Sequence, residues 1–279
     1  MPPMASIWLD GTLVDERTAS VRFDDHGLVV GDGVFETMMI IDGTPFAMGR
    51  HLARLHRSAA GLGLSIGWTD EALRNAATEL IAANDARRRR CRLTVTGGSN
   101  SLGSGRDDTS TSTVILALGP LNKPAPSASV MTVPWSRNPN SATAGLKTTS
   151  YAENVIALAA AHARGGDEAI FADTAGNLSE GTGSNIFLVR DGQLLTPALS
   201  TGCLAGVTRA LVLELTGAIE TELPLAALAS APEAFLTSTT RLVQPIASVD
   251  DVALGTAPGP VTAAAAAAFA TLISGDLDP

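Results

Sequence analysis

"VFETMMIIDGTPFAM", residues 34–48, sets an apolar run, an Asp-Gly pair and a second apolar run in a row. Asp-Gly between such runs marks a two-residue hairpin: both central residues of the favoured turn need a left-handed backbone, which Gly adopts without strain. "SIWLDGTLVD", residues 6–15, repeats the design around Asp10 and Gly11. Hairpins build antiparallel pairs, so the two stretches favour an α+β chain with antiparallel or mixed sheets over a doubly wound parallel one.

Helices and further strands follow outward from the second hairpin. "HLARLHRSAAGLGL", residues 51–64, puts Leu52, Leu55 and Ala59 at helical spacing, with Gly61 or Gly63 to end the helix. "TDEALRNAATELIAAN", residues 69–84, opens on Thr-Asp-Glu and predicts a second amphipathic helix. "CRLTVTGG" and "TSTVILALG" return to strand patterns. Three prolines in "GPLNKPAPSAS", residues 119–129, read as a linker. The expected division is a small N-terminal domain over 1–118 and a larger one over 130–279. The second holds the strands "VMTVPW", "EAIFAD", "NIFLV", "QLLTP" and "EAFLTST", a helix over "GVTRALVLELTG" and an Ala-rich C-terminal helix. No repeat of fixed period is visible.

Composition narrows the function classes. Apolar residues make up 45% and charged ones 17%, so the chain can bury a core and is not of the disordered class. The formal net charge of −9 argues against partners such as nucleic acid or an anionic membrane surface. The basic run over residues 87–90 follows a helical pattern and reads as a solvated helix end. Cys91 and Cys203 are far apart and lack neighbouring histidines, so neither a metal site nor a disulfide framework is expected. The start "MPPMASIWLDG" has no charged segment ahead of an apolar one, and no window approaches a membrane span. A cytoplasmic enzyme is the expectation.

Five segments carry candidate chemistry. In "GLKTTSYAENVIALAAAHARGG", residues 145–166, Ser150 and Glu153 fit a capping box, with a helix starting near Tyr151. Lys147 then stands just upstream of the helix start, where the backbone dipole disfavours a cation. It is either an ordinary surface charge or an amine kept neutral for Schiff-base chemistry. In "GCLAGVTRALVLEL", Gly206, Val207 and Thr208 lead into a helix and offer N–H groups and a hydroxyl to an anion, or simply cap it. In "LSEGTGSNIFLV", Glu180 ends a strand before a Gly-rich turn. It is a turn residue or, if buried, a partner for a protonated cofactor ring. In "FLTSTTRLVQPI", Thr237, Ser238, Thr239 and Thr240 are strand-end hydroxyls or a second phosphate anchor. Arg54 in "HLARL" is a solvent-facing charge or a bidentate phosphate clamp. Together, an amine, a carboxylate, a helix-start anion site, hydroxyls and an arginine are what a pyridoxal phosphate site requires.

The collinear strings "GDGVFET", "HLARL", "KTTSYAENV", "EGTGSNIF", "LAGVTR" and "TSTTRLVQPI" resemble the class IV aminotransferases, the fold type IV pyridoxal phosphate enzymes. The resemblance spans nearly the whole chain. It implies a two-domain fold with a small N-terminal α/β domain, a larger C-terminal α/β domain and the cofactor between them. It implies pyridoxal 5'-phosphate as cofactor, small-molecule substrates and a homodimer. By the same resemblance Lys147 is the aldimine lysine and the Cα acid/base, and Glu180 is the partner of the ring nitrogen. Arg54, Val207, Thr208 and Thr239 hold the phosphate, and Tyr151 lies near the cofactor's phenolic oxygen. "KTTSYAENV", with Glu153, and "TSTTRLVQPI" resemble the aminodeoxychorismate lyases, which release pyruvate and 4-aminobenzoate for folate synthesis. That lyase is the first expectation; an aminotransferase of branched-chain or D-amino acids is the alternative, and Glu36 in "VFET" occurs there too. "TGGSNSLGSGR", residues 96–106, lacks the Arg-x-His trap of the D-amino acid enzymes, leaving Arg106 to bind substrate.

Overall fold

In the computed structural model, residues 5–108 and 110–279 are described. The first four residues of the start inspected for a leader lie outside them. The chain is α+β and divides into two compact units. The first comprises Met1–Leu121, Leu146–Tyr151 and Asp276–Pro279; the second comprises Asn122–Gly145 and Ala152–Gly275.

In the first unit, β1 (Ser6–Leu9), β2 (Thr12–Asp15), β3 (Gly33–Ile41), β4 (Thr44–Pro45), β5 (Arg88–Thr96) and β6 (Thr113–Gly119) form an antiparallel sheet. Its strand order is β2-β1-β6-β5-β3-β4. The hairpin at Asp10 and Gly11 has φ of 42° and 93°, and that at Asp42 and Gly43 has 48° and 85°, the left-handed pairs their sequences demand. A short α1 (His26–Val29) precedes β3. Helices α2 (Met48–Leu62) and α3 (Asp70–Ala83) cover one sheet face. Gly63 ends α2 in the left-handed conformation, and the Thr69 hydroxyl caps α3 by accepting from the Ala72 N–H. Leu52 and Leu55 of α2, Leu73 and Leu80 of α3, and Val34, Met38, Leu93 and Leu116 of the strands share one core.

The arginine run does not end a helix. Helix α3 stops at Ala83, and Arg88, Arg89 and Arg90 pair with Ile41, Ile40 and Met39 as the start of β5. Their backbones complete the ladder that β3 needs while the side chains stay in water.

The second unit holds β7 (Ala128–Arg137), α4 (Ala152–Ala163), β8 (Glu168–Asp173), β9 (Leu178–Gly181), β10 (Asn185–Arg190), β11 (Gln193–Pro197), α5 (Val207–Thr216), β12 (Ile219–Thr221), α6 (Ala226–Ala229), β13 (Ala234–Ser238), β14 (Leu242–Val249), β15 (Val252–Ala253) and α7 (Pro260–Gly275). Its sheet is mixed, in the order β12-β11-β10-β13-β14-β7-β8-β9, with β15 paired to β14. Strand alternation sends Ile186, Leu188 and Leu236 into a core with Leu228 of α6. Phe187 and Phe235, on the opposite face, stack with centroids 4.9 Å apart. Helix α4 packs Ala157 and Ala161 on Met131, Ala169 and Phe171. Among the described residues no helix is long and apolar enough to cross a membrane.

Leu52 is fully buried where α2 meets the sheet. Leu52→Ala is expected to lower the unfolding free energy by about 2–5 kcal/mol, read from urea denaturation.

Candidate active site

The first unit fixes Lys147 by its backbone. Residues 147–149 lie antiparallel to the start of β3, with an isolated bridge between Val34 and Thr148. The Phe35 N–H donates to the Lys147 carbonyl at 3.1 Å, and the Thr149 N–H donates to the Gly33 carbonyl at 2.8 Å. From α2, the Ser58 hydroxyl accepts the Lys147 N–H at 3.1 Å. Lys147 is half-buried. Its Nζ stands 4.2 Å from the centroid of the Phe35 ring. Arg92, on β5, places its guanidinium carbon 3.7 Å from the same centroid. The two cations are therefore no farther apart than the sum of those distances. Tyr151 meets Phe35 edge to face at 5.4 Å.

The expected capping box does not form. The Ser150 hydroxyl donates to the Gly31 carbonyl at 2.9 Å, and Glu153 accepts from Arg137 Nη1 at 3.0 Å. Helix α4 starts at Ala152 without that reciprocal pair.

Arg54 is not a solvent-facing charge. It is buried between α2 and the sheet, where Nε and Nη2 donate to the two oxygens of Glu36 at 2.8 and 2.7 Å. His51 Nδ1 meets Glu36 at 2.7 Å. Burial alone would raise the Glu36 pKa, but the Arg54 charge and hydrogen bonds, with His51, outweigh it and pull the carboxyl down to about 2. Burial also pushes the His51 pKa below its usual value. Arg106 is likewise engaged: Nε and Nη2 donate to Asp32 at 2.7 and 2.6 Å, and Nη1 to the Gly63 carbonyl at 3.0 Å. A cavity of about 480 Å³ beside this pair is lined by Val30, Gly31, Asp32, Leu62, Ser104, Arg106 and Ser150.

The second unit carries Glu180, Val207, Thr208 and Thr239. Glu180 Oε2 accepts the Leu204 N–H at 2.9 Å, and Asn185 Nδ2 donates to the Leu204 carbonyl at 2.8 Å. Two residues on, Gly206 is the N-cap of α5, and a Cβ there would meet Asn185 Oδ1 at 2.0 Å. Gly206 gives α5 no side-chain cap, so Val207 and Thr208 open the helix with amides that lack intrahelical acceptors. Asn185 pairs across the sheet with Thr237, whose buried hydroxyl has no hydrogen-bond partner among the described residues. Thr239 lies just beyond, between β13 and β14. The turn after Glu180 is held by Glu168, which is buried and absent from the sequence reading. It accepts from the Thr182 N–H at 3.0 Å, the Thr182 hydroxyl and the Ser184 hydroxyl at 3.0 Å, and lies 3.5 Å from Arg241. Burial and then the Glu180 charge push the Cys203 thiol up to about 11, so it is no nucleophile. Among the described residues no group of three or more His, Cys, Asp or Glu could hold a metal.

Sequence reasoning missed Arg92, Phe35, Arg137 and Glu168. Only Arg92 left a signal: strand alternation sets it opposite the buried Cys91 and Leu93, on the face shared with Phe35.

The depressed Glu36 pKa makes the first unit sensitive to acid. Its carboxylate stabilises the fold fully above the ordinary 4.5, and that contribution is lost as pH falls towards about 2. Glu36→Gln is expected to remove this part of the pH dependence and to cost about 3–5 kcal/mol at neutral pH, since Arg54 stays buried without the Glu36 charge. Thermal melts from neutral to acid pH check it.

Comparison with known proteins places the chain. The profile of the family described as Amino-transferase class IV matches residues 33–249. A Methanocaldococcus jannaschii protein, provisionally named a branched-chain-amino-acid aminotransferase, is 35% identical over 257 residues, covering 88% of each chain. The aminodeoxychorismate lyase of Bacillus subtilis is 29% identical, covering 92% of this chain and 91% of its own. The crystal structure of the Escherichia coli branched-chain amino acid aminotransferase superposes with a TM-score of 0.91 at 28% identity, covering 96% of this chain and 94% of that one. The chain belongs to the class IV aminotransferase family, enzymes of fold type IV that use pyridoxal 5'-phosphate.

Proposed function

We propose that this chain is a pyridoxal phosphate-dependent aminotransferase that exchanges an amino group between a branched-chain or D-amino acid and a keto acid. The observation that carries it is the pair of cations on the Phe35 ring: an amine, Lys147, and a guanidinium able to receive a carboxylate, Arg92. The lyase expectation yields because the relative named for branched-chain substrates shares more of this sequence than the Bacillus subtilis lyase does.

The residues fit the cofactor. A helix start without a side-chain cap, the glycine that a Cβ would drive into Asn185, and the orphaned Thr237 hydroxyl suit a bound anion. Val207, Thr208 and Thr239 would hold the phosphate with Arg54, whose guanidinium Glu36 aims through two bonds. Glu180 would hold the ring nitrogen, and Tyr151 would face the phenolic oxygen. When bound, the cofactor supplies an electron sink for the pair left at the substrate Cα. Lys147 would carry the cofactor, then take the Cα proton and deliver it to the cofactor's C4′, so that the amino group stays behind. Arg92 would bind the substrate carboxylate, with Arg106 on the rim. Exposed Phe23, Leu28 and Leu102 support a homodimer, and two free buried cysteines support a cytoplasmic setting.

Purified protein is expected to show a visible absorption band with added pyridoxal 5'-phosphate and, with a second keto acid present as amino acceptor, to form keto acids from branched-chain amino acids or D-alanine. Release of 4-aminobenzoate with pyruvate from aminodeoxychorismate, with no keto acid formed from either kind of amino acid, would overturn the aminotransferase reading. Lys147→Ala is expected to abolish the band and turnover. Arg92→Gln is expected to raise KM for the amino acid about 10- to 100-fold, the worth of a charge-assisted bond, with the cofactor band intact in steady-state and spectral measurements.

A further inference from the structure

Glu153 stands in the first turn of α4 with its side chain 57% exposed, yet it is bonded to an arginine that reaches inward. Arg137 ends β7 and lays its guanidinium over the buried Phe171 ring, 4.0 Å from the centroid. Nη1 donates to Glu153 Oε2 at 3.0 Å. On its inner side, Nε lies 3.2 Å from Glu180 Oε1 but makes no hydrogen bond among the described residues. One cation thus serves two carboxylates unequally: its aligned bond goes to the outer one, while the inner one, which accepts from the Leu204 N–H, lies beside the Arg137 charge without an aligned bond from Nε.

A guanidinium free to turn meets a carboxylate through two parallel bonds. Here the Phe171 ring restricts the plane of Arg137, and Glu153 draws it outward. The position of Glu153 is fixed in turn, because its neighbour Asn154 donates from Nδ2 to the Thr182 carbonyl at 2.6 Å, in the turn that follows Glu180. The N-terminus of α4 also favours an anion at Glu153. We propose that Glu153 is a positioning residue: by holding Arg137 off a two-bond pairing with Glu180, it keeps the Glu180 carboxylate basic towards the cofactor's ring nitrogen. This rests on the assignment of Glu180 to that nitrogen.

Cofactor binding to the apo-protein at low ionic strength tests it, with two probes: pyridoxal 5'-phosphate and its deaza analogue, which carries C–H in place of the ring nitrogen. Glu153→Gln is expected to weaken pyridoxal 5'-phosphate about three- to fivefold, the scale of an exposed ion pair, and to leave the analogue unchanged. Glu153→Asp should restore most of the loss. High salt, which screens the outer pair, should bring the wild type towards Glu153→Gln. Equal weakening of both probes would mark a merely structural role and overturn the inference, as would no change in either. Wild-type protein that binds pyridoxal 5'-phosphate no better than the analogue would instead overturn the assignment of Glu180. Wild-type protein that binds neither would overturn the proposed function itself.

Discussion

Backbone pairing between residues 33–35 and 147–149 is the constraint on which the rest of the amine's surroundings depends. It joins segments more than a hundred residues apart in the chain, so its loop-closure cost must be recovered by the contacts it creates. Those contacts are specific. A strand-like segment has fixed directions, and Lys147 is further held by Ser58 of α2, so the amine is carried by the first unit's sheet and helix. Gly33 permits the approach, because a Cβ there would lie 2.8 Å from the Val95 carbonyl and 3.0 Å from the Thr149 hydroxyl. The amine, Phe35, Arg92 and Tyr151 meet because of that pairing.

Both units bury charge, and both satisfy it with hydrogen bonds. Glu36 has no exposed surface but takes two bonds from Arg54 and one contact from His51. Glu168 is satisfied by backbone and hydroxyl donors of the turn after Glu180, with Arg241 nearby. Removing one member of such a set leaves an uncompensated charge in a medium that solvates it poorly. Networks of this kind hold groups at fixed orientation, which a site for a charged ligand needs. In the first unit the group so held is the Arg54 guanidinium; in the second it is the Gly-rich turn next to Glu180.

Local grammar was legible. Asp-Gly pairs announced the hairpins, Thr69 announced the start of α3, and Gly63 the end of α2. Local grammar also misled where a distant partner outcompeted a near one. Ser150 and Glu153 have the spacing of a capping box, yet the first bonds Gly31 and the second Arg137. Residues 87–90 follow a helical pattern, but the open edge of β3 recruits three of the arginines into β5. A sequence pattern reports what a residue could bond nearby, and folding offers it alternatives from elsewhere.

By itself the sequence determined the α+β class, the hairpins, the helix ends and the ordered set of segments that marks the family, because turn chemistry, periodicity and motif order are properties of neighbours along the chain. Only the tertiary structure decided that Arg54 is aimed by Glu36, that Arg92 shares the Phe35 ring with Lys147, and that one arginine stands between Glu153 and Glu180. These partners come from different elements, and their meeting is set by strand register and helix packing. In "GLKTTSYAENV" the lysine gained its place from the strand it pairs with and the glutamate its partner from another strand, neither of which that stretch contains.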